Sequence, residues 1–327
     1  LIGNWQTQKQ LRISVIAAKK KNSSVPHVLF SGSAGCGKTS MAKKLAEMSG
    51  SDLTPVFPDS LASPKDALKL MHKLNGENYN KKGDRVGEIK PSILFIDEVH
   101  NLKLNVQEAL GVAMENFAME SGIEGKYVWL PYFTLVGATT NDGKLSKPFR
   151  DRFKLRFTFS PYSLKESVDI VRAHAERLTA PMTGKAMFDV ARRGRGVPRI
   201  MVGHLERAID FTMSKGFKVI TDKETGEMFK EMGIDENGFS ETDVKILIAL
   251  FNSDGPVGQD NLSIITNESP ITLSNSIEPY LIQEGMISRT GRGRRITEKG
   301  KSYLERKGLI ESFGSGLLEA DPRHERK

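Results

Sequence analysis

The sequence predicts an α/β protein with a parallel sheet over the first 160 residues, followed by an all-α unit and a C-terminal unit of short helices closed by a hairpin. Three observations carry this expectation. Apolar runs ending in polar or glycine-rich turns alternate with helical stretches up to about residue 160. From Ser163 to about Met232 the apolar spacing is helical throughout. After the turn-rich Gly233–Ser240, three helical segments precede an alternating stretch bent around Gly291-Arg292-Gly293.

Four strands are expected, at His27–Ser31, Ile93–Asp97, Phe133–Thr139 and Lys154–Phe159. Asn75–Lys90 is rich in Asn, Gly and Lys and reads as a surface insertion. Pro161 ends the strand pattern, and Ser163 with Glu166 forms a capping box ahead of Leu164, Val168 and Val171. The last segment reads as helices Asp243–Phe251, Gln259–Ile265 and Thr272–Glu284, then a hairpin over Met286–Ile296. Three helices and a basic Gly/Arg hairpin outline a winged helix.

Between the first strand and the helical spacing Met41, Leu45, Met48 lies Gly32-Ser33-Ala34-Gly35-Cys36-Gly37-Lys38-Thr39, a complete G-x-x-x-x-G-K-[ST] phosphate loop. The glycines allow the backbone amides to face a phosphate at a helix N-terminus. Gly32, Gly35, Cys36, Gly37, Lys38, Thr39 and Ser40 are therefore expected to hold a nucleoside triphosphate, with Lys38 on the β- and γ-phosphates and Thr39 on Mg²⁺. A second apolar strand ends in Asp97-Glu98, 59 residues after Lys38. Ligands bind at the carboxyl ends of parallel strands. Asp97 is thus the second expected metal residue, and Glu98 the group that polarises the attacking water. His100 reads as a local hydrogen-bonding residue.

Length favours two or three domains. With 27% charged and 38% hydrophobic residues the chain has globular rather than disordered composition. No apolar run approaches a membrane span, and Leu1 is not followed by a secretory leader pattern. The lone Cys36 excludes an internal disulfide and fits a reducing cytoplasm, and six scattered histidines show no metal-ligand spacing. Net charge is +8, and Ile287–Lys307 alone carries eight basic residues against two acidic ones. That concentration points to a polyanion, and Arg289, Arg292, Arg294 and Arg295 are the expected phosphate contacts.

Two further segments add chemistry. Phe133–Asn141 is an apolar strand ending in hydroxyl and amide groups, facing the γ-phosphate or the water from the side opposite Glu98. In Pro148-Phe149-Arg150-Asp151-Arg152-Phe153 two arginines share one acid, so one of them is available to leave its own subunit. Pro198 fits a helix N1 position with Arg199 beside it, placed to turn onto the nucleotide.

In order, the phosphate loop, LFIDEVH, FTLVGATT, PFRDRF, ARRGRGVPRI, GPVGQDNL and IEPYLIQEGMISRTGRGR resemble the RuvB family of AAA+ ATPases, the Holliday-junction branch-migration motors, over nearly the whole chain. The last stretch is more specific than the nucleotide motifs, which any AAA+ protein shares. The resemblance implies an AAA+ parallel-sheet ATPase core (residues 1–160), a small helical lid (161–233) and a winged-helix DNA-binding domain (234–327). It implies an ATP- and Mg²⁺-dependent hydrolase that moves double-stranded DNA as a hexameric ring. By position, Thr140 and Asn141 fall in the first sensor, Arg152 is the trans-acting arginine finger, Arg199 the second sensor, and Ile2 and Gly3 begin the adenine-side segment.

Departures from the family pattern are informative. Ser33, Ala34 and Cys36 replace the usual loop residues, and Asn141 stands where an arginine is usual. Phe117–Phe133 is shorter than the hairpin that engages the junction-binding partner RuvA, with Ile123 the one sizeable apolar residue at its tip. The chain is therefore expected to depend less on a RuvA-like partner, or to use a different one. Two other readings remain at this stage: an initiator or clamp-loader-like ATPase, and a winged-helix regulator switched by ATP.

Overall fold

The computed structural model describes residues 1–74, 92–120, 127–130 and 132–310. Asn75–Lys90, the hairpin tip with Ile123, and the last residues lie outside that set. The chain forms two compact units, one of Leu1–Thr179 with Gly196–Leu205, the other of Ala180–Arg195 and the chain from Glu206 onward.

The first unit contains α1 (Trp5–Lys20), β1 (Val28–Gly32), α2 (Lys38–Ser49), β2 (Asp52–Val56), α3 (Pro64–Leu74), β3 (Ser92–Ile96), α4 (Leu104–Asn116), β4 (Ala118–Glu120), β5 (Tyr127–Trp129), β6 (Phe133–Thr139), α5 (Lys147–Asp151), β7 (Leu155–Phe159) and α6 (Leu164–Arg177). Five strands pair in parallel in the order β2-β3-β6-β1-β7. Successive side chains alternate between the two faces. Leu29, Leu94 and Leu135 bury against Val106 and Leu110 of α4. Val28, Phe30, Ile93, Phe95 and Val136 bury against Leu11 of α1 and Met41 and Leu45 of α2. Covering both faces explains why the central strands are apolar throughout rather than alternating. The phosphate loop, Asp97 and Thr140 consequently leave the sheet at the carboxyl ends of β1, β3 and β6, three adjacent strands.

Strand β2 is an element the sequence analysis did not anticipate. It is a sheet edge, largely accessible and interrupted by Pro55, which an edge tolerates because one side of its ladder needs no donor. The Ser163–Glu166 capping box is formed in full at α6. At the head of β1, buried His27 accepts from Leu135 N at 2.8 Å through Nδ1, so Nε2 carries the proton given to Met114 O at 3.0 Å. Burial lowers its pKa to about 4, so the ring is neutral at pH 7.

The second unit holds α7 (Gly184–Arg193) and the later part of α8 (Pro198–Ser214), with α9 (Asp222–Glu231) and α10 (Glu241–Phe251). It continues through α11 (Gln259–Thr266), α12 (Pro270–Thr272), α13 (Glu278–Gln283), β8 (Ile287–Thr290), β9 (Gly293–Ile296) and α14 (Glu298–Arg306). Ile246, Leu247, Leu262, Leu273, Leu281, Tyr303 and Leu304 form the core of the winged helix. The expected single helix Thr272–Glu284 is broken by a π turn at Leu273–Ile277. Pro279 accounts for it: proline gives no N–H to the preceding turn and its ring crowds the carbonyl four residues back, so the turn widens.

The segment read as a linker, Gly233–Ser240, is a wound turn. Asp235 Oδ1 accepts from Asn237 N and Phe239 N, each at 2.8 Å, and Phe239 is buried in the core. Arg195 donates to Gly238 O at 3.0 and 2.7 Å, pairs with buried Asp243, and stacks over Tyr280 at 4.5 Å. Arg193 donates to Asp235 O at 2.9 Å and stacks over Phe229 at 4.5 Å. The arginines at and just beyond the end of α7 thus bind the helical part of this unit to the winged helix.

Candidate functional site

The phosphate loop is held by close packing that only glycine allows. At Gly32, with φ of 130°, a Cβ would stand 2.2 Å from the Phe159 carbonyl oxygen. At Gly35, with φ of 78°, it would stand 2.9 Å from Val197 and 3.0 Å from the Cβ of Arg199. Arg199, second residue of α8 after Pro198, therefore packs on the phosphate loop itself. Lys38 opens α2, and its amine donates to Gly32 O at 2.6 Å and Ser33 O at 3.0 Å. Burial lowers the Lys38 pKa, opposed by the carboxylates of Glu98 and Asp97, while Arg199 adds to the lowering. Thr39 and Ser40 are exposed beside it. Cys36 is fully buried, and burial raises its thiol pKa, which fits a packing role rather than a redox one.

Across from the loop, Glu98 occupies a left-handed conformation with φ of 46°. Its amide donates to Asp97 Oδ1 at 3.0 Å. Its Oε2 accepts from Thr140 twice, from the amide at 3.1 Å and the hydroxyl at 2.9 Å. His100 Nδ1 lies 3.2 Å from the same oxygen and 2.9 Å from Thr139 Oγ1, which also accepts from Asn141 N at 3.0 Å. Burial lowers the His100 pKa; Glu98 opposes the shift, and Lys144 and Lys38 reinforce it. The end of β6 thus grips the Glu98 carboxylate, a tie that the sequence analysis did not foresee when it aimed this strand end at the γ-phosphate.

Tyr162 is a second residue the sequence analysis missed. Its hydroxyl accepts from Asn4 Nδ2 at 2.8 Å and approaches Cys36 O at 3.4 Å, and its amide donates to Gly196 O at 2.8 Å. A Cβ on Gly3 would stand 2.5 Å from its ring, so the Ile2-Gly3 segment, the phosphate loop and the turn before α8 converge on one phenol. Asn4, Trp5, Thr7, Thr158 and Tyr162 line a cavity there. No local pattern marks a lone tyrosine after a proline as such a hub.

A bound triphosphate with Mg²⁺ fits this donor set. The Lys38 amine is buried within the loop, and one hydroxyl (Thr39) and one carboxylate (Asp97) are too few for a resident metal but would suit an ion brought with the triphosphate. Among the described residues no group of three or more His, Cys, Asp or Glu could hold a metal alone.

Among the described residues, neither arginine of the 148–153 segment makes a recorded hydrogen bond to the phosphate loop. Arg152 caps α5 and binds Glu115 of α4 and the Pro148 carbonyl, while Asp151 lies 3.8 Å from Arg156. Among the described residues, the buried Arg150 Nε has no hydrogen-bond partner.

In the wing, Arg289, Arg292 and Arg295 are exposed. Arg294 corrects the expectation that all four arginines meet DNA. It is 5% exposed, and its guanidinium binds Glu278 at 2.7 and 3.0 Å and Gln259 Oε1 at 3.1 Å. The register explains the split, because alternate residues of β9 face opposite sides and Arg294 points into the domain.

Family models match nearly the whole chain: the Holliday junction DNA helicase RuvB P-loop domain over residues 1–159, the RuvB AAA lid domain over 162–235, and the RuvB C-terminal winged helix domain over 236–305. The chain is 35% identical over 306 residues to the Holliday junction branch migration complex subunit RuvB of Wolbachia sp. subsp. Brugia malayi (strain TRS), covering 90% of this chain and 88% of that protein. The subunit of the same name from Campylobacter jejuni (strain RM1221) is 34% identical over 311 residues, covering 93% and 89%. Among solved structures, the Thermotoga maritima RuvB Holliday junction branch migration motor superposes with a TM-score of 0.79 at 31% identity, covering 93% of this chain and 95% of that one. With sheet, lid, winged helix and phosphate loop all matched in sequence and in fold, the chain belongs to the RuvB family of AAA+ ATPases.

Proposed function

We propose that this protein is an ATP-driven motor that moves double-stranded DNA and promotes branch migration of Holliday junctions. The observation that carries the reading is the presence, in one chain, of the Lys38–Glu98–Thr140 cleft and a wing bearing three exposed arginines. Lys38 holds the β- and γ-phosphates, and Thr39 and Asp97 hold the Mg²⁺ that neutralises phosphate charge. Glu98, oriented by Thr140, polarises the attacking water. Arg199 contacts the nucleotide from within the subunit, and Asn141 completes the sensor at the end of β6. Ile2, Gly3 and Tyr162 shape the adenine side. Arg152 serves the neighbouring subunit, which makes the working form a ring, read here as a hexamer. Residues 1–160, 161–233 and 234–327 act as ATPase core, lid and DNA-binding domain.

Arg289, Arg292 and Arg295 contact phosphates rather than bases, as a motor indifferent to sequence requires. The partner is double-stranded or four-way-junction DNA; the short Phe117–Phe133 hairpin supports less dependence on a RuvA-like protein, or a different one, and we place the reaction in the cytoplasm. Among the described residues no helix is long and apolar enough to cross a membrane. The test is branch migration of a synthetic four-way junction by the purified protein, with ATP, with and without a RuvA-type protein. Steady DNA-stimulated turnover with strand movement is expected. ATP hydrolysis without junction movement under either condition would overturn the reading and favour a loader.

A further inference from the structure

Arg152 lies across one face of α4, and that face is shaped to receive it. Its Nε donates to Oε2 of Glu115 at 3.2 Å, Nη2 lies 3.1 Å from the same oxygen as an ion pair, and Nη1 donates to the Pro148 carbonyl at 2.8 Å. Gly111, one helical turn before Glu115, supplies the room. A Cβ there would stand 3.2 Å from Arg152 Cδ and 3.3 Å from Nε and Nη1. Residues four apart share a helix face, so Gly111 is the floor of this cradle and Glu115 its wall.

The donor count matters. A guanidinium carries five N–H groups. The hydrogen bonds use the one on Nε and one on Nη1, while Nη2 is held by the ion pair. Among the described residues no other partner is recorded for Nη1 or Nη2, and each carries a further N–H of the kind that can reach a phosphate oxygen. We propose that Glu115 is a positioning residue for hydrolysis. With Gly111 and the Pro148 carbonyl it fixes Arg152 by its sides and presents its free end to the γ-phosphate held by the neighbouring subunit. The proposal rests on the reading of Arg152 as the trans-acting arginine.

An exposed ion pair of this kind adds little to stability. Glu115 is 62% exposed and Arg152 28%, so the fold gains little from the contact. The gain is in orientation: an arginine held in one geometry before the reaction does not lose its rotamer freedom in the transition state. Asp151, next in the chain, does not serve; its carboxylate faces Arg156.

The test measures ATP turnover of the full chain on duplex DNA, with nucleotide affinity and melting temperature recorded for each variant. Glu115→Ala should lower kcat about 10- to 100-fold, the scale of a misplaced catalytic group, with KM for ATP and melting temperature near wild type. Glu115→Gln, which still accepts a hydrogen bond, should retain more activity, and it carries the test should the alanine variant fail to fold. Gly111→Val, which fills the floor, should lower kcat as well. Mixing Glu115→Ala with Lys38→Ala subunits should restore turnover, because the second protein brings an intact arginine to the first one's intact loop. A Glu115→Ala kcat at or above wild type overturns the proposal, as does a loss that mixing fails to restore where an Arg152→Ala loss is restored. Wild-type turnover by Arg152→Ala would instead remove the arginine reading on which the proposal stands.

Discussion

The nucleotide cleft and the wing both depend on basic side chains and use them in opposite ways. In the cleft, Lys38 is buried, bound to carbonyls of its own loop and set against Asp97 and Glu98. In the wing, Arg289, Arg292 and Arg295 stand in solvent, and one buried arginine, Arg294, holds the strand that carries its neighbours. A cleft that hydrolyses a phosphoanhydride needs charges fixed to within fractions of an ångström. A surface that slides along DNA needs many interchangeable contacts and no single decisive one. Single substitutions should therefore be severe in the cleft, severe at the buried arginine of the wing, and graded at the exposed ones.

The largest effect is expected at Glu98. Glu98→Gln should keep ATP bound through Lys38 and lower turnover by about 10²-fold or more, the usual contribution of a positioned general base. Nucleotide binding measured beside steady-state hydrolysis checks it, and wild-type turnover would return Thr140 and His100 to a structural role. Next comes Arg294→Ala. Removing one partner of a buried ion pair costs about 3–5 kcal/mol, and Glu278, 1% exposed, would be left with its charge unmet. Urea denaturation should show this loss, and a mild phenotype would place Arg294 among the surface arginines after all.

Acid should separate the regions further. His27 titrates near 6.5 in the unfolded chain and at about 4 in the folded sheet unit. Between those values the unfolded state binds more protons, so this contribution is complete above pH 6.5 and disappears as the pH falls toward 4. The loss amounts to about 3 kcal/mol. Thermal unfolding across that range should show the slope in the wild type and a flatter one in His27→Gln. The smallest effect is expected at Arg292. Arg292→Gln should weaken duplex binding evenly across sequences and lower the salt slope by about one; an unchanged slope would mean the side chain meets no phosphate.

Much of this site was legible because its signals are local. The phosphate loop, the Asp97-Glu98 strand end and the Ser163–Glu166 cap each lie within a few residues. Sequence does not mark partners brought together by the sheet. Thr140 meets Glu98 because β3 and β6 are neighbours, and Tyr162 gathers Asn4, Cys36 and Gly196 from three separate segments. Strand β2 escaped because an edge strand needs little apolar patterning, and the break before Pro279 because helical spacing continues through it. Arg294 was grouped with its neighbours by charge, whereas the strand's alternation sorts them. At the hairpin, Ile123 is the sizeable apolar residue at the tip, yet Trp129 on β5 is 73% exposed and gives the hairpin a second large apolar side chain.

The arginines at and just beyond the end of α7 have a mechanical consequence. Arg193 and Arg195 reach across to the Asp235–Asp243 turn with paired hydrogen bonds, a buried carboxylate and two aromatic faces. A joint secured at so many points behaves as a weld rather than a hinge. With the helices around α7 and the wing tied inside one compact unit, any displacement of the one is expected to carry the other along.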